Sequence, residues 1–393
     1  MEKKTLKDID VYEKKVLIRV DFNVPIVDGK ITDDNRIKEA LPTINYVLEN
    51  GGAVILMSHL GRPDGKVVEK YSLKPVAVRL EELLKKPVIM AKDVVGTDAK
   101  SKAKKLKAGE ILLLENLRFE AGEEENDKEF CEKLAKLGDI YVNDAFGTAH
   151  RKHASTYGVA KLMPSAIGFL IEKELRIICG AINDPKRPLV GILGGAKISD
   201  KISIVDKLLD VCDTLIIGGG MAYTFQKALG YNIGESLLDE TKIEDCKNML
   251  EKAKKNNVDL LLPVDYIESK AINDTTNAKL TKTQNIDDGF MGVDIGKKTI
   301  KMFVKAIKKA KTVIWNGPMG VFEEPKFAVG TYKVAKALTK VKGTTIIGGG
   351  DSGSAVINMG LSHKITHIST GGGASLKLFE GKILPGVDVI ENK

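Results

Sequence analysis

The sequence predicts an α/β protein with two doubly wound parallel-sheet, Rossmann-like domains that face each other across a hinged cleft. Short apolar runs alternate with amphipathic helical stretches along all 393 residues, which is typical of parallel sheets covered by helices. Ten strand candidates are many for one sheet, and the chain is long for one domain. We therefore expect a first domain over residues 1–170, a linker helix and hinge over 171–186, and a second domain over 187–376.

The elements follow from this alternation. The strand candidates are Val16–Val20, Ala53–Met57, Ile111–Leu114, Ile140–Val142, Leu189–Leu193, Thr214–Ile217, Leu260–Val264, Thr312–Trp315, Thr344–Ile347 and Thr366–Ile368. The helix candidates between them include Arg36–Glu49, Asp127–Leu137, Ser199–Cys212, Thr241–Asn256 and Phe327–Val341. The proline-containing segment 183–188, which follows a helix-like stretch over Gly168–Ala181, separates the two halves.

Composition narrows the class of protein. The net charge of +8 leaves nucleic-acid binding open, but the chain has only 11 Phe and 9 Tyr, and its lysines are spread along helical faces. No apolar run is long enough to span a bilayer, and the first residues lack the apolar stretch of a signal peptide. The four cysteines lack Cys-x-x-Cys spacing, which favours reduced thiols. We expect a cytoplasmic protein that binds neither nucleic acid nor membrane.

The positions of the arginines indicate an anion site. The eight arginines are Arg19, Arg36, Arg62, Arg79, Arg118, Arg151, Arg176 and Arg187. Arg62, Arg118 and Arg151 follow three successive strand candidates, and Arg36 begins the helix after the first strand. Ligands bind beyond the carboxyl ends of parallel strands, and the guanidinium fork matches phosphate and carboxylate. We interpret Arg19, within a strand, as structural, and we expect a small polyanionic ligand at this edge.

The second half has glycines at its strand ends. These segments are Gly194-Gly195-Ala196-Lys197, Gly218-Gly219-Gly220, Asn316-Gly317-Pro318-Met319-Gly320, Gly348-Gly349-Gly350-Asp351-Ser352 and Gly371-Gly372-Gly373-Ala374. Glycine between a strand and a helix lets backbone amides approach phosphates closely, which predicts a nucleotide site. No Gly-Lys pair is followed by Ser or Thr, so the site is not a P-loop.

The sequence also allows a different class of protein, a dinucleotide-binding oxidoreductase, because Gly348–Gly353 matches the motif G-x-G-x-x-G. Two features count against it. The acid expected about 20 residues further on to hold a ribose is missing, since that region reads Thr370-Gly371-Gly372-Gly373. Asp351 within the match would repel a pyrophosphate unless a metal lay between them. Asp351 holding Mg²⁺ that bridges nucleotide phosphates is the better interpretation.

Several longer motifs resemble the phosphoglycerate kinase family, essentially from Val16 to the C-terminus. They are Arg19-Val-Asp-Phe-Asn-Val-Pro25, Ser58-His-Leu-Gly-Arg-Pro63, Glu115-Asn-Leu-Arg-Phe119, Asp144-Ala-Phe-Gly-Thr-Ala-His-Arg151, Gly194-Gly-Ala-Lys-Ile-Ser-Asp-Lys201, Asn316-Gly-Pro-Met-Gly-Val-Phe-Glu323, Gly348-Gly-Gly-Asp-Ser352 and Ser369-Thr-Gly-Gly-Gly-Ala374. The resemblance implies reversible transfer of the acyl phosphate of 1,3-bisphosphoglycerate to Mg-ADP, giving 3-phosphoglycerate and ATP, in glycolysis and gluconeogenesis. It also implies that residues 377–393 return to pack on the first domain, and we expect a monomer.

The resemblance assigns site residues by position in the motifs. Those implied for phosphoglycerate are Asp21, Asn23, Arg36, His59, Leu60, Gly61, Arg62, Arg118 and Arg151. Those implied for the nucleotide are Gly194, Ala196, Lys201, Gly218, Gly292, Asn316, Glu323, Gly349, Gly350, Asp351 and Ser352, with Glu323 on the ribose and Asp351 on Mg²⁺. Those implied to stabilise the phosphoryl group in transfer are Arg36, Lys197 and the amides of Gly371, Gly372 and Gly373.

The chemistry explains why no general base is apparent. The nucleophile is a carboxylate in one direction and a phosphate oxygen in the other, and both are already ionised. Catalysis then reduces to positioning and to neutralisation of charge. Because the arginines and the glycine segments lie in different halves, we expect a hinge closure when both ligands are bound.

Overall fold

The computed structural model describes residues 2–393, and the chain divides into two compact units. The first unit contains the residues up to Arg176 together with Ile383–Lys393, and the second unit is Ile177–Lys382. Each unit contains one six-stranded sheet, and the predicted α/β class is confirmed. The divisions lie within the predicted linker 171–186 and within the predicted returning segment 377–393.

The first unit is built on a parallel sheet. Its strands are β1 (Lys15–Arg19), β2 (Ile26–Val27), β3 (Lys30–Ile31), β4 (Ala53–Met57), β5 (Ile89–Met90), β6 (Ile111–Leu113), β7 (Ile140–Asn143) and β8 (Ser165–Ile167). Its helices are α1 (Asn35–Glu49), α2 (Lys74–Leu84), α3 (Thr97–Lys105), α4 (Gly122–Glu125) and α5 (Lys128–Ala135). The sheet order is β5-β6-β4-β1-β7-β8, and β2 and β3 form a separate antiparallel hairpin.

The burial pattern explains why the central strands form. All of β4 and four residues of β1 are buried, as expected where helices cover both faces of a parallel sheet. On α1 the buried residues Ile37, Ala40, Ile44 and Val47 recur at helical spacing and join the same core as these strands. Burial of this apolar stripe fixes the helix against the sheet.

The second unit repeats this plan. Helix α6 (Phe169–Asn183) runs from the first unit into the second. The strands are β9 (Leu189–Leu193), β10 (Thr214–Ile217), β11 (Asp259–Leu261), β12 (Tyr266–Ser269), β13 (Lys279–Leu280), β14 (Met291–Ile295), β15 (Thr312–Asn316), β16 (Thr344–Gly348) and β17 (His367–Ile368). The helices are α7 (Ile202–Val211), α8 (Met221–Ala228), α9 (Ile243–Lys255), α10 (Lys297–Ile307), α11 (Val329–Leu338), α12 (Gly350–Asn358) and α13 (Gly372–Phe379). The parallel sheet has the order β11-β10-β9-β15-β16-β17.

The strands missing from the sequence prediction are short or lie outside the parallel sheets. β12, β13 and β14 form a small antiparallel sheet, in which both residues of β13 are exposed. β5, β8 and the β2–β3 hairpin are two or three residues long per strand. Such elements are held by tertiary contacts, so they leave little apolar signal in the sequence.

The C-terminal segment belongs to the first unit. It carries the last helix, α14 (Pro385–Asp388). The Asn143 side-chain amide donates to the Gly386 carbonyl at 2.8 Å, and the Gly386 amide donates to the Ala149 carbonyl at 2.8 Å. The N-terminal segment takes part as well, because the Lys4 amide donates to the Glu391 carbonyl. The chain end is thereby tied to the loop that follows β7. In residues 2–393 we find no helix with the length and apolarity needed to cross a membrane.

Candidate functional site

The predicted phosphoglycerate residues share one edge of the first sheet. They follow β1, β4, β6 and β7, or begin α1, and these four strands are neighbours and parallel. The carboxyl ends of parallel strands lie at the same edge, so the structure brings these residues together. We call the set Asp21, Asn23, Arg36, His59, Leu60, Gly61, Arg62, Arg118 and Arg151 the basic rim.

Arg36 is oriented by the loop that follows β1. Its Nη1 donates to Asp21 Oδ2 at 2.9 Å and to the Asn23 carbonyl at 3.2 Å. The Asn23 side-chain oxygen accepts from the Gly61 amide at 3.0 Å, which joins this loop to the one that follows β4. Asp21 is buried, whereas about a third of the Arg36 side chain is exposed (35%). The guanidinium is therefore fixed on one side and accessible on the other.

Arg118 is held by an asparagine bridge between two loops. Asn116 Oδ1 accepts from the Arg118 and Leu60 amides, and Asn116 Nδ2 donates to the Leu60 carbonyl at 2.7 Å. The Arg118 side chain donates to the Gly61 carbonyl at 2.8 Å and pairs with Glu124 at 2.9 Å. Burial lowers the pKa of Arg118 from its usual value, and neighbouring arginines add to this effect.

The other two predicted arginines are more accessible. Arg62 is exposed, and Arg151 is half-buried with its Nε 3.3 Å from His150 Nε2. His153 is buried behind them, and burial together with nearby arginines lowers its pKa to about 4. His153 is therefore neutral near pH 7 and adds no charge to the rim.

Three arginines lie close to His59 at this edge. This side chain is buried, and its pKa lies well below the usual range because of burial and because Arg19, Arg118 and Arg36 are close. The crowding of cations around a neutral ring is what a polyanionic ligand would relieve. Sequence reasoning interpreted Arg19 as structural and missed that it contacts His59. The available signal was a charged residue within the apolar run Val16–Val20.

The glycine segments of the second unit also share one edge. They follow β9, β10, β15, β16 and β17, which are adjacent and parallel. We call the five segments Gly194–Lys197, Gly218–Gly220, Asn316–Gly320, Gly348–Ser352 and Gly371–Ala374 the glycine loops. Gly292 is not among them, because it lies in β14 of the antiparallel sheet, where its amide donates to Ser236 Oγ at 2.9 Å.

The glycines of these loops serve two purposes. A Cβ on Gly194 would lie 2.1 Å from the Pro318 carbonyl oxygen, and one on Gly218 would lie 2.5 Å from the sulfur of Met319. These glycines allow neighbouring loops to pack closely. In contrast, a Cβ on Gly350 or on Gly372 would meet nothing within 4 Å. Both residues lie in the first turn of a helix, α12 or α13, where amides remain free for an anion.

Lys201 is a half-buried cation at this edge. It precedes α7, and its Nζ donates to the Gly194 carbonyl at 2.5 Å, with the Asn316 carbonyl at 3.4 Å. Burial lowers the pKa of Lys201 to about 8, although the nearby Asp351 and Asp200 oppose the shift. The ammonium group is thus held between two strand ends, with no carboxylate in direct contact among the described residues.

The remaining predicted nucleotide residues differ in exposure. Ser352 is buried and its Oγ accepts from the Gly317 amide at 2.6 Å, while the Asn316 side chain donates to the Gly348 carbonyl at 2.7 Å. In the second unit, the predicted site residues with exposed side chains are Ala196, Lys197, Glu323 and Asp351. Ser352 and Asn316 therefore shape the loops, and the exposed residues are accessible to ligands.

The residues present fit a magnesium ion that arrives with a nucleotide. Asp351 lies in the first turn of α12, directly after Gly350. Across residues 2–393, no three His, Cys, Asp or Glu side chains are grouped so that they could enclose a metal. Mg²⁺ commonly uses one or two carboxylates and completes its shell with phosphates and water. A single carboxylate beside open helix amides suits that mode of binding.

Comparison with known proteins identifies the family. The family model described as phosphoglycerate kinase matches residues 6–382. The chain belongs to the phosphoglycerate kinase family. It is 55% identical over 394 residues to phosphoglycerate kinase of Clostridium tetani, covering 100% of this chain and 98% of that protein. It is 51% identical to phosphoglycerate kinase of Finegoldia magna, with 100% of both chains covered.

Solved structures of phosphoglycerate kinases share the fold. The structure from Coxiella burnetii has a TM-score of 0.88 and 40% identity, and it covers 98% of both chains. The structure from Pyrococcus horikoshii OT3 has a TM-score of 0.81 and 35% identity, with 98% of both chains covered. The enzyme is a kinase and thus a phosphotransferase. This finding decides against the dinucleotide oxidoreductase and against a primary role in nucleic-acid binding.

Proposed function

We propose that this phosphoglycerate kinase family member transfers the acyl phosphate of 1,3-bisphosphoglycerate to Mg-ADP, reversibly, through the residues of the basic rim and the glycine loops. The observation that carries the assignment is the crowding of Arg19, Arg36 and Arg118 around the buried, neutral His59. Each of these arginines also has a carboxylate nearby, and the cluster is further stabilised by a ligand with several negative charges. Phosphoglycerate carries a carboxylate and a phosphate, so it matches this site.

In this proposal the basic rim binds phosphoglycerate. Arg118, Arg62 and Arg151 bind its anionic groups through their guanidinium forks. Asp21 and Asn23 contribute to the phosphoglycerate site and also keep Arg36 in place, as their contacts with Arg36 support. The backbone of Leu60 and Gly61 completes the site between β4 and β6.

The glycine loops bind the nucleotide. The open amides at the starts of α12 and α13, around Gly350 and Gly372, are suited to phosphate oxygens. Lys201 adds a half-buried positive charge close to Gly194. The exposed carboxylate of Glu323 binds the ribose hydroxyls. The other proposed contacts are Ala196, Gly218, Gly292, Asn316, Gly349 and Ser352.

Asp351 is the proposed metal ligand. Mg²⁺, when bound with the nucleotide, neutralises part of the phosphate charge. The contribution of this chain is one exposed carboxylate beside open helix amides. A carboxylate in that position would repel phosphates in the absence of a cation, which supports its role as a ligand.

Transfer needs positioning and charge stabilisation but no general base. The attacking oxygen belongs to a carboxylate or a phosphate and is already ionised. Arg36 from the rim, with Lys197 and the amides of Gly371–Gly373 from the loops, stabilises the phosphoryl group as it moves. Arg36 is accessible on one face, Lys197 is exposed, and the space around Gly372 is open. These features support the assignment.

Closure of the two units is part of the proposal. The basic rim belongs to one unit and the glycine loops to the other. Direct transfer requires reacting atoms about 3–3.5 Å apart, and exclusion of water protects the acyl phosphate. All the proposed residues lie in one chain, which is compatible with the proposal that the enzyme acts as a monomer. The reaction takes place in the cytoplasm, without a nucleic-acid or membrane partner.

A coupled assay tests the reaction. ATP should form only when ADP, Mg²⁺ and 1,3-bisphosphoglycerate are all present, and ADP should form from ATP only with 3-phosphoglycerate. Activity that persists without phosphoglycerate would contradict the assignment. Small-angle scattering tests the closure, because the radius of gyration should fall most with both ligands together. An unchanged radius in the ternary complex would refute hinge closure while leaving the reaction intact.

A further inference from the structure

Behind the basic rim, a chain of buried polar groups leads from a carboxylate to His59. Glu123 has no exposed surface (0%), and Arg19 is 1% exposed. Ser155 connects them: its amide donates to Glu123 Oε2 at 3.0 Å, its hydroxyl donates to Glu123 Oε1 at 2.6 Å, and it accepts from Arg19 Nε at 2.7 Å. Arg19 Nη2 also lies 3.9 Å from Glu123 Oε1. The guanidinium is therefore fixed in one orientation.

Arg19, the last of these buried polar groups before His59, determines which ring nitrogen of His59 carries the proton. Arg19 Nη2 lies 3.3 Å from His59 Nδ1. A guanidinium can only donate, so Nδ1 must be the acceptor in this hydrogen bond. A neutral imidazole with an unprotonated Nδ1 carries its proton on Nε2. The ring then has one N–H donor, and the donor is on the nitrogen that Arg19 does not contact.

The surroundings of the ring oppose a second proton. The charged and titratable groups that face His59 are Arg19 on β1, Arg36 on α1, Arg118 in the short helical turn after β6, and His153 before the helical turn at Ala154. Three of them are guanidinium groups, which remain charged at any relevant pH. The cationic imidazole is therefore disfavoured by burial and by repulsion.

We infer that Glu123, Ser155 and Arg19 act as positioning residues that fix His59 as the Nε2–H tautomer, so that the ring donates a hydrogen bond to an oxygen of the bound phosphoglycerate. This inference rests on the proposed function of the basic rim. It gives the buried Arg19–Glu123 pair a role in ligand binding, because the Nδ1–H tautomer of His59 would present the lone pair of Nε2 to an anion.

Nitrogen-resolved NMR of the histidine rings tests the tautomer in the whole enzyme without ligand. His59 should show a protonated Nε2 and an unprotonated Nδ1 from pH 6 to 9. His363, whose side chain is exposed, is the internal comparison. A proton on Nδ1, or an imidazolium, would overturn the inference. Addition of 3-phosphoglycerate should shift the His59 Nε2–H signal, and an unshifted signal would refute its role as a donor.

Substitutions test the positioning chain separately from the basic rim. Glu123→Gln should increase the KM for 3-phosphoglycerate about fivefold, the effect of one weakened hydrogen bond, and should give mixed His59 tautomers. The KM for ATP should not change. Glu129→Gln, at an exposed carboxylate on α5 that pairs with Lys133, is the matched control. Should Glu123→Gln fail to fold, Ser155→Ala breaks the same chain with a smaller change in charge.

Failure of the positioning inference can be distinguished from failure of the proposed function. Equal losses with both substrates, or a single His59 tautomer retained in the folded variant, would show that Glu123 is only structural. If Arg118→Lys did not affect phosphoglycerate binding, the proposed rim itself would be wrong, whichever tautomer His59 adopts.

Discussion

The titration of Lys201 should make nucleotide affinity depend on pH above neutrality. The ammonium group is half-buried beside the Gly194 and Asn316 carbonyls, and loss of solvation lowers its pKa to about 8. A bound phosphate adds negative charge and therefore favours the protonated form. The contribution of Lys201 to affinity is complete well below pH 8, and it falls progressively as the pH rises above 8 towards the pKa of the bound form.

The magnitude follows from the two pKa values. If the phosphate restores Lys201 to its ordinary pKa of about 10.4, linkage predicts that affinity falls about eightfold from pH 7.5 to 9. At pH 8 half of the free protein carries the proton, so binding should take up about half a proton. Nucleotide phosphates are essentially ionised across this range, which limits their own contribution.

Isothermal titration calorimetry with Mg-ADP, in buffers of different ionisation enthalpy, measures both the affinity and the number of protons taken up. Lys201→Met should bind Mg-ADP more weakly than the wild type at pH 7.5, and its affinity should be nearly constant from pH 7.5 to 9. Lys197→Met, which removes an exposed lysine and leaves Lys201 in place, is the matched control and should retain the dependence. If the wild-type affinity were constant from pH 7.5 to 9 with no proton uptake, the phosphate contact assigned to Lys201 would be refuted.

Three further predictions concern single residues. Asp351→Asn should lower turnover on the order of a hundredfold or more with the fold intact by circular dichroism, and near-normal Mg²⁺-dependent activity would exclude Asp351 as the metal ligand. Arg118→Lys should weaken phosphoglycerate binding about tenfold in calorimetry without affecting the nucleotide, because lysine lacks the fork; Arg187→Lys, at an exposed ion pair, is the control. Gly194→Ala should lower the free energy of unfolding by about 2 kcal/mol in urea denaturation, because its Cβ would lie 2.1 Å from a carbonyl oxygen. Gly350→Ala is the control and should leave the free energy of unfolding unchanged, because its Cβ would meet nothing within 4 Å. Equal effects of the two substitutions would refute the packing argument.

Apolar patterning and motif position are sufficient to predict the parallel sheets and the residues along their edges. The strand Ala53–Met57 was predicted with its observed bounds, because a strand buried on both faces appears as an unbroken apolar run. The motifs after these strands were also visible, since the functional side chains lie on loops at strand ends. The residues of the basic rim and of the glycine loops could therefore be predicted, and their roles stay proposals.

The spatial neighbours of these residues, in contrast, become visible in the folded chain alone. Arg19, Glu123 and Ser155 are far apart in sequence, and nothing local indicates that they form one buried chain behind His59. The same holds for the distinction between Gly194, which is enclosed by a neighbouring loop, and other glycines that are open. Burial and hydrogen bonding between distant segments set pKa values, tautomers and space for side chains. Periodicity and motif spacing describe a single segment, so they carry no information about those contacts.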